Sequence, residues 1–221
     1  MTPKMRILVT AGPTREFIDP VRYISNSSTG FFGYQIAREA LKRGHEVILI
    51  SGPTSLRPPM KAKFVPVVSA ADMQKAVWRF LAQSECLIMT AAVADYRPAA
   101  RSSTKIKKTR PSFKLGLKRN PDILSEASKR KGRRVFVGFA LETNGTLSSA
   151  LSKMTRKKLD IIVATPVDKR HIPFGNRRIR AVILDRRGGV QDVDFSKEKL
   201  ARIILDKAIA ARYPLNRKRI L

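Results

Sequence analysis

The sequence predicts an α/β fold: a Rossmann-like three-layer sandwich with a mostly parallel sheet and a basic flap loop. Three observations carry this. Strand-like apolar runs alternate with amphipathic helical segments. The first run, Met5 to Ala11, is apolar and ends in small residues, as in a strand buried on both faces. One polar, basic stretch, residues 95–119, breaks the alternation.

The elements follow in order. After the first strand comes a long loop, with Gly12-Pro13 and Asp19-Pro20 as turn signals. Gly30 to Arg43 reads as a helix with Phe32, Ile36, Ala40 and Leu41 on its apolar face, stopped by Gly44. His45 to Ser51 is a strand, Leu56 to Lys61 a linker and Phe64 to Val68 a short strand. Met73, Ala76, Val77, Phe80 and Leu81 mark a second helix. Cys86 to Ala92 is a further buried strand. Beyond the basic stretch, Pro121 to Lys131 fits a helix with Asn120 as candidate cap. Arg134 to Ala140 and Asp160 to Ala164 are strands around a helix, Leu147 to Lys158. Arg178 to Leu184 with Gly188-Gly189 suggests a hairpin, and Ser196 caps a closing helix to Arg212. Ligands of such folds sit at the carboxyl ends of strands, so chemistry is expected after Thr10, Thr90 and Ala140.

The 221 residues are expected to form a single domain, 1–221. The apolar fraction of 43% suffices for a core and excludes wholesale disorder. The single cysteine, Cys86, leaves no intrachain disulfide. No secretory leader or membrane span is read, so a soluble cytoplasmic protein is expected. The net charge of +28 is regional: residues 101–134 hold thirteen Lys/Arg and two acids, against eight and four over residues 1–60. Charge alone leaves open nucleic-acid binding, attraction of small polyanions, or a solvated surface.

No GxGxxG and no Gly-Lys-Ser/Thr loop follows the first strand. Ser25-Asn26-Ser27-Ser28-Thr29-Gly30, opening a helix, offers hydroxyls, an amide and backbone N–H groups to an anion, or serves as a polar capping loop. Arg22 could hold a phosphate or carboxylate, though spacing alone favours pairing with Asp19 or Glu16. The small residues Thr90-Ala91-Ala92 allow close backbone approach, and Asp95 follows within reach of a polar ligand or metal, or satisfies a turn. Lys105, in Lys105-Ile106-Lys107-Lys108, could close over a phosphate, or belong to a solvated charge run. Lys153 and Lys157 share a helix face at i, i+4, which is unfavourable unless an anion lies between them. The two histidines, His45 and His171, lack motif context, and no Ser/His/Asp, HExxH or CxxC arrangement exists.

Taken together, these segments resemble the phosphopantothenate–cysteine ligase (phosphopantothenoylcysteine synthetase) family. The resemblance runs through Val9–Glu16, Ile18–Gly30, Ala91–Pro98, Lys105–Lys108, Arg119–Leu124, Val137–Thr143 and Asp160–Ala164, and covers about residues 5–210. It implies a step of coenzyme A biosynthesis. 4′-Phosphopantothenate is activated by CTP (ATP in eukaryotic members) with Mg²⁺, pyrophosphate leaves, and the amine of cysteine attacks the acyl-nucleotidylate. It implies a homodimer. Asn26 matches the residue contacting the activated acyl group, and Lys105 the flap lysine of turnover. Arg22, from its own or the partner subunit, and Ala92 match the phosphopantothenate site. Met89, Thr90, Ala91, Asp95, Pro121, Asp122, Ile123, Leu124, Phe139, Lys153 and Lys157, again with Lys105, match the nucleotide pocket. No metal ligand is assigned beyond the triphosphate itself.

This chain departs from the family pattern in places. Phe31-Phe32 stands where many fused bacterial members have Lys-Met, Thr165 where Asn is usual, and Asn176-Arg177-Arg178 where acidic residues are common. The length leaves no room for the flavin-dependent decarboxylase domain, so a stand-alone ligase or an excised half is expected. A basic Rossmann-like nucleic-acid-binding protein is the alternative, disfavoured because residues 101–134 hold one aromatic, Phe113. A short-chain reductase is disfavoured by the missing fingerprint and the lack of a Tyr-xxx-Lys pair.

Overall fold

The structure, a computed structural model, describes residues 3–108, 111–142, 146–167 and 173–214. Its centre is an eight-stranded sheet. The parallel strands in chain order are β1 (Arg6–Ala11), β4 (Glu46–Ser51), β5 (Lys63–Pro66), β6 (Cys86–Met89), β9 (Val135–Glu142) and β10 (Ile161–Pro166). Two antiparallel strands, β11 (Ile179–Asp185) and β12 (Val190–Phe195), complete one edge. The order is β12-β11-β10-β9-β6-β1-β4-β5. The chain thus winds outward from β1 toward β5, then returns through β6 toward β10. That reversal places a topological switch point between β1 and β6.

Helices cover both faces, giving three layers. The pleat sends successive side chains of β1 to opposite sides. Ile7 and Val9 pack against α1 (Phe31–Lys42) and α5 (Lys197–Arg212) through Tyr34, Ile36, Leu200 and Ile204. Leu8 faces α2 (Ala70–Leu81), α3 (Ile123–Ser128) and α4 (Thr146–Arg156) through Met73, Val77, Leu124 and Met154. The five apolar positions read for the second helix are all buried. Met73, Val77, Phe80 and Leu81 each contribute about 1.5–3 kcal/mol on burial. No helix among the described residues is long and apolar enough to cross a membrane.

Two segments read as loops contain short ladders. β2 (Arg15–Phe17) and β3 (Tyr23–Ser25) form a hairpin after β1, where Arg15 stacks on Tyr23. β7 (Tyr96–Pro98) and β8 (Leu117–Arg119) pair antiparallel, so the basic stretch is a flap on a two-stranded stem. Three residues per strand are too few for an alternating pattern to show. The third helix is also shorter than read, and its cap is Asp122, which accepts from the Ser125 amide at 3.0 Å. Asn120 instead ties the stem to the sheet: its Nδ2 donates to Ala94 O (2.8 Å), and its Oδ1 accepts from Arg97 (2.6 Å). Thr143 and His171 lie outside the described residues.

Candidate functional site

Beyond Ala11 and Met89 the chain leaves β1 and β6 toward opposite faces, and a crevice opens between. The two strand ends are laced together. Thr90 Oγ1 donates to Thr10 O (2.5 Å), the Ala91 amide to Thr10 Oγ1 (3.2 Å) and the Ala92 amide to Gly12 O (2.9 Å). The Thr14 amide returns to Ala92 O (3.2 Å). Asn26 reaches the same carbonyl oxygen, its Nδ2 donating at 2.9 Å. The proposed acyl-contact residue therefore sits directly on the proposed substrate-contact backbone.

Helix α1 starts at this crevice. Gly33 allows the approach: a Cβ there would lie 2.5 Å from Thr90 Oγ1 and 2.6 Å from the Ala11 Cβ. Gly30 precedes the helix with φ of 75° and has no side chain to cap it, while the Phe31 amide donates to Thr29 Oγ1 at 3.4 Å. The N–H donors left over in a helix's first turn, with the partial positive charge there, favour an anion.

The resulting cavity has a volume of about 1070 Å³, at the upper end for ligand pockets. Asn26, Met89, Thr90, Ala91, Ala92, Asp95, Pro121, Asp122, Ile123, Leu124, Phe139, Lys153 and Lys157 all line it. Five chain segments thus bring their predicted residues to one site. Phe139 meets Phe32 edge to face, centroids 5.4 Å apart, giving an apolar panel opposite the polar loop.

The charges differ from the reading of a bare lysine pair. Lys153 is bonded to Glu142, and Lys157, just past α4, pairs with Asp122 at 2.8 Å. Burial raises the Asp122 carboxyl, but the bonds from Lys157 and the Ser125 amide outweigh it and hold it below the usual carboxylate range. Asp95 is exposed and forms no ion pair with a described residue. No cluster of three metal-ligating side chains occurs among the described residues. Among the described residues, Asp95 is a carboxylate that lines the cavity without an ion pair to a described residue, in reach of a divalent ion carried on a ligand's phosphates.

Two predicted residues lie elsewhere. Arg22 does not line the cavity. Its guanidinium bonds the buried Asp19 at 2.5 and 2.9 Å, the pairing that spacing favoured, and donates to Ile106 O at 2.9 Å. Arg22, first, and backbone donors hold the Asp19 carboxyl well below its ordinary value against the opposing effect of burial. Lys105 is exposed on the flap, outside the cavity. Asp19 also accepts from the Ile106 amide (3.2 Å), so the base of this flap segment is pinned to the β2–β3 turn.

Sequence reasoning missed Phe174, Gly175 and Lys197, which close one side of the cavity. Lys197 had a signal: a lysine opening a helix opposes the macrodipole. Burial lowers its ammonium to about 8.

Fold and site define a doubly wound α/β domain with a polyanion-sized, cation-bearing cavity at its switch point. Residues 3–211 match the DNA/pantothenate metabolism flavoprotein C-terminal domain, and the chain belongs to that family. It is 47% identical over 170 residues to the coenzyme A biosynthesis bifunctional protein CoaBC of Bacillus subtilis, covering 76% of this chain and 42% of that protein. With the Escherichia coli protein of the same name it shares 40% identity over 220 residues, 97% of this chain and 54% of that one. The chain spans about half the length of these curated relatives. The crystal structure of the C-terminal domain of a CoaBC protein superposes with a TM-score of 0.80 at 37% identity, covering 93% of this chain and 94% of that chain.

Proposed function

We propose that this chain is a phosphopantothenate–cysteine ligase: it joins 4′-phosphopantothenate to the amine of L-cysteine using CTP. The observation that carries the reading is the convergence of Asn26, Ala92, Asp95, the Pro121–Leu124 turn, Phe139, Lys153 and Lys157 on one cavity at the switch point. The coenzyme A biosynthesis proteins it resembles support the pathway.

The substrate carboxylate attacks the α-phosphorus of CTP, and the bond to the departing pyrophosphate breaks. The cysteine nitrogen then attacks the acyl carbon, loses a proton, and expels CMP. No protein nucleophile is needed, so catalysis is positioning and charge neutralisation. Asn26, fixed on Ala92 O, orients the acyl group. Lys153 and Lys157 flank the nucleotide, and Phe32 and Phe139 wall it from water. Lys105 acts after the flap carries it to the cavity. Asp95 would hold the Mg²⁺ that comes with the triphosphate, and that ion would supply neutralisation of phosphate charge. Arg22 does not line its own cavity and is held on Asp19; the contribution proposed for it is from a second copy in a homodimer. The working compartment is the cytoplasm.

The test is pyrophosphate and nucleoside monophosphate release with 4′-phosphopantothenate, Mg²⁺ and cysteine, comparing CTP with ATP. Release that requires phosphopantothenate and runs faster with CTP is expected. Faster release with ATP would overturn the nucleotide assignment, and no release with either would overturn the ligase.

A further inference from the structure

Among the described residues two lysines are buried, Lys131 at 7% exposure and Lys197 at 2%. Lys131 answers its charge with Asp160, 2.7 Å away, and lies off the cavity. Lys197 lines the cavity and forms no ion pair with a described residue. Its Nζ donates to the carbonyl oxygens of Pro173 (2.6 Å) and Gly175, and sits 5.8 Å from the centre of the Phe31 ring. An ammonium has three N–H donors, and those carbonyls take two.

A buried cation without a counter-charge is strongly disfavoured. The position adds to the penalty, because Lys197 opens α5, at the positive end of the helix dipole. The adjacent acid, Glu198, is engaged by Gln35 of α1 at 3.1 Å. Asp194 of β12 is engaged by Arg178. Across the cavity, Asp122 and Glu142 are taken by Lys157 and Lys153. Among the described residues, Lys197 thus has dipoles but no anion. Beside it, through the Phe31 ring, lies the start of α1.

We propose that Lys197 is the charge-bearing residue of a phosphate subsite, and that a ligand's phosphoryl group supplies the counter-charge that Lys131 takes from Asp160. The inference rests on the ligase reading of the cavity. The phosphoryl group has two possible sources, the nucleoside triphosphate and phosphopantothenate.

Calorimetric titrations with 4′-phosphopantothenate against pantothenate, and CTP against cytidine, separate the sources. Each pair gives the affinity gained from phosphate. In Lys197→Gln, which removes the charge and retains a donor for a carbonyl, one pair loses roughly ten- to a hundredfold of that gain. The unphosphorylated member of that pair binds as before. The pair affected identifies the source. Lys197→Met, with melting temperatures for both variants, serves as the second substitution. The inference is overturned if both pairs keep their gain. It is equally overturned if phosphorylated and unphosphorylated ligands weaken alike, the mark of a strut that only props the Pro173–Gly175 loop. If the unaltered chain gains nothing from phosphate in either pair, the ligase reading fails and this inference with it.

Discussion

The strand-end segment Thr90–Ala94 and the flap beyond Tyr96 are neighbours in sequence, yet they carry their functional candidates in opposite ways. The first is bonded to residues 10–14 at almost every step, and its candidates already line the cavity. The second is tied at the β7–β8 stem and through Ile106 to Asp19 and Arg22, with Lys105 held outside. The sheet builds the binding surface before any ligand arrives. For the role proposed for it, Lys105 would have to be brought to that surface by the flap. Substitutions in the first region should therefore alter binding and stability together, and those on the exposed flap should act on catalysis or on charge steering without changing stability.

The sharpest way to break that contrast is Lys105→Ala. It should lower kcat about a hundredfold or more while the melting temperature and the KM for CTP stay near the original. Steady-state pyrophosphate release with a thermal melt checks it. An equal loss in stability would mean that the flap lysine is structural.

Asp19→Asn tests the link between the regions. It removes the anion that organises Arg22 and the Ile106 amide, so kcat should fall about tenfold through loss of flap positioning. The melting temperature should fall as well. The pH dependence has a definite sign. The folded carboxyl lies below its ordinary value, chiefly because of Arg22, so its contribution is present above the usual carboxylate range and is lost as pH falls through the folded value. The melting temperature of the original chain should drop on acidification in that window, and that of the variant should drop less.

Gly33→Ala sharpens the other side. The added methyl meets Thr90 Oγ1 and the Ala11 Cβ, so the variant should lose about 1–3 kcal/mol in denaturant unfolding. Ligand affinity should weaken as α1 backs away from the crevice. Removing charge from the flap surface is the mildest change. Lys107→Ala with Lys108→Ala should raise the KM for CTP only about two- to fivefold at low ionic strength, an effect that vanishes in high salt.

The same contrast explains what the sequence made legible. The parallel strands are apolar runs, and the helices carry clear stripes, so the layers could be read. The site residues on strand ends could be placed because the fold dictates where such ends point. The β2–β3 and β7–β8 ladders are not readable from the sequence, since three residues per strand are too few to show a period. Asn120 was read as a cap because its type and position suited one. Asp122, two residues later, also suits one, and backbone geometry decided between them. The acids that neutralise Lys153 and Lys157 come from separate elements, β9 and the turn before α3, and no local spacing announces them. Lys197 emerges only when α5, the Pro173–Gly175 loop and α1 are brought together in space.

A single-turnover reaction without cysteine tests the central claim most directly. The chain is mixed with 4′-phosphopantothenate, CTP and Mg²⁺, and pyrophosphate is counted against protein. The account predicts a burst of about one pyrophosphate per site with no free CMP, because the acyl-cytidylate waits in the cavity, and prompt CMP release once cysteine is added. Pyrophosphate formed without phosphopantothenate, or CMP released at the same rate with and without cysteine, would contradict it.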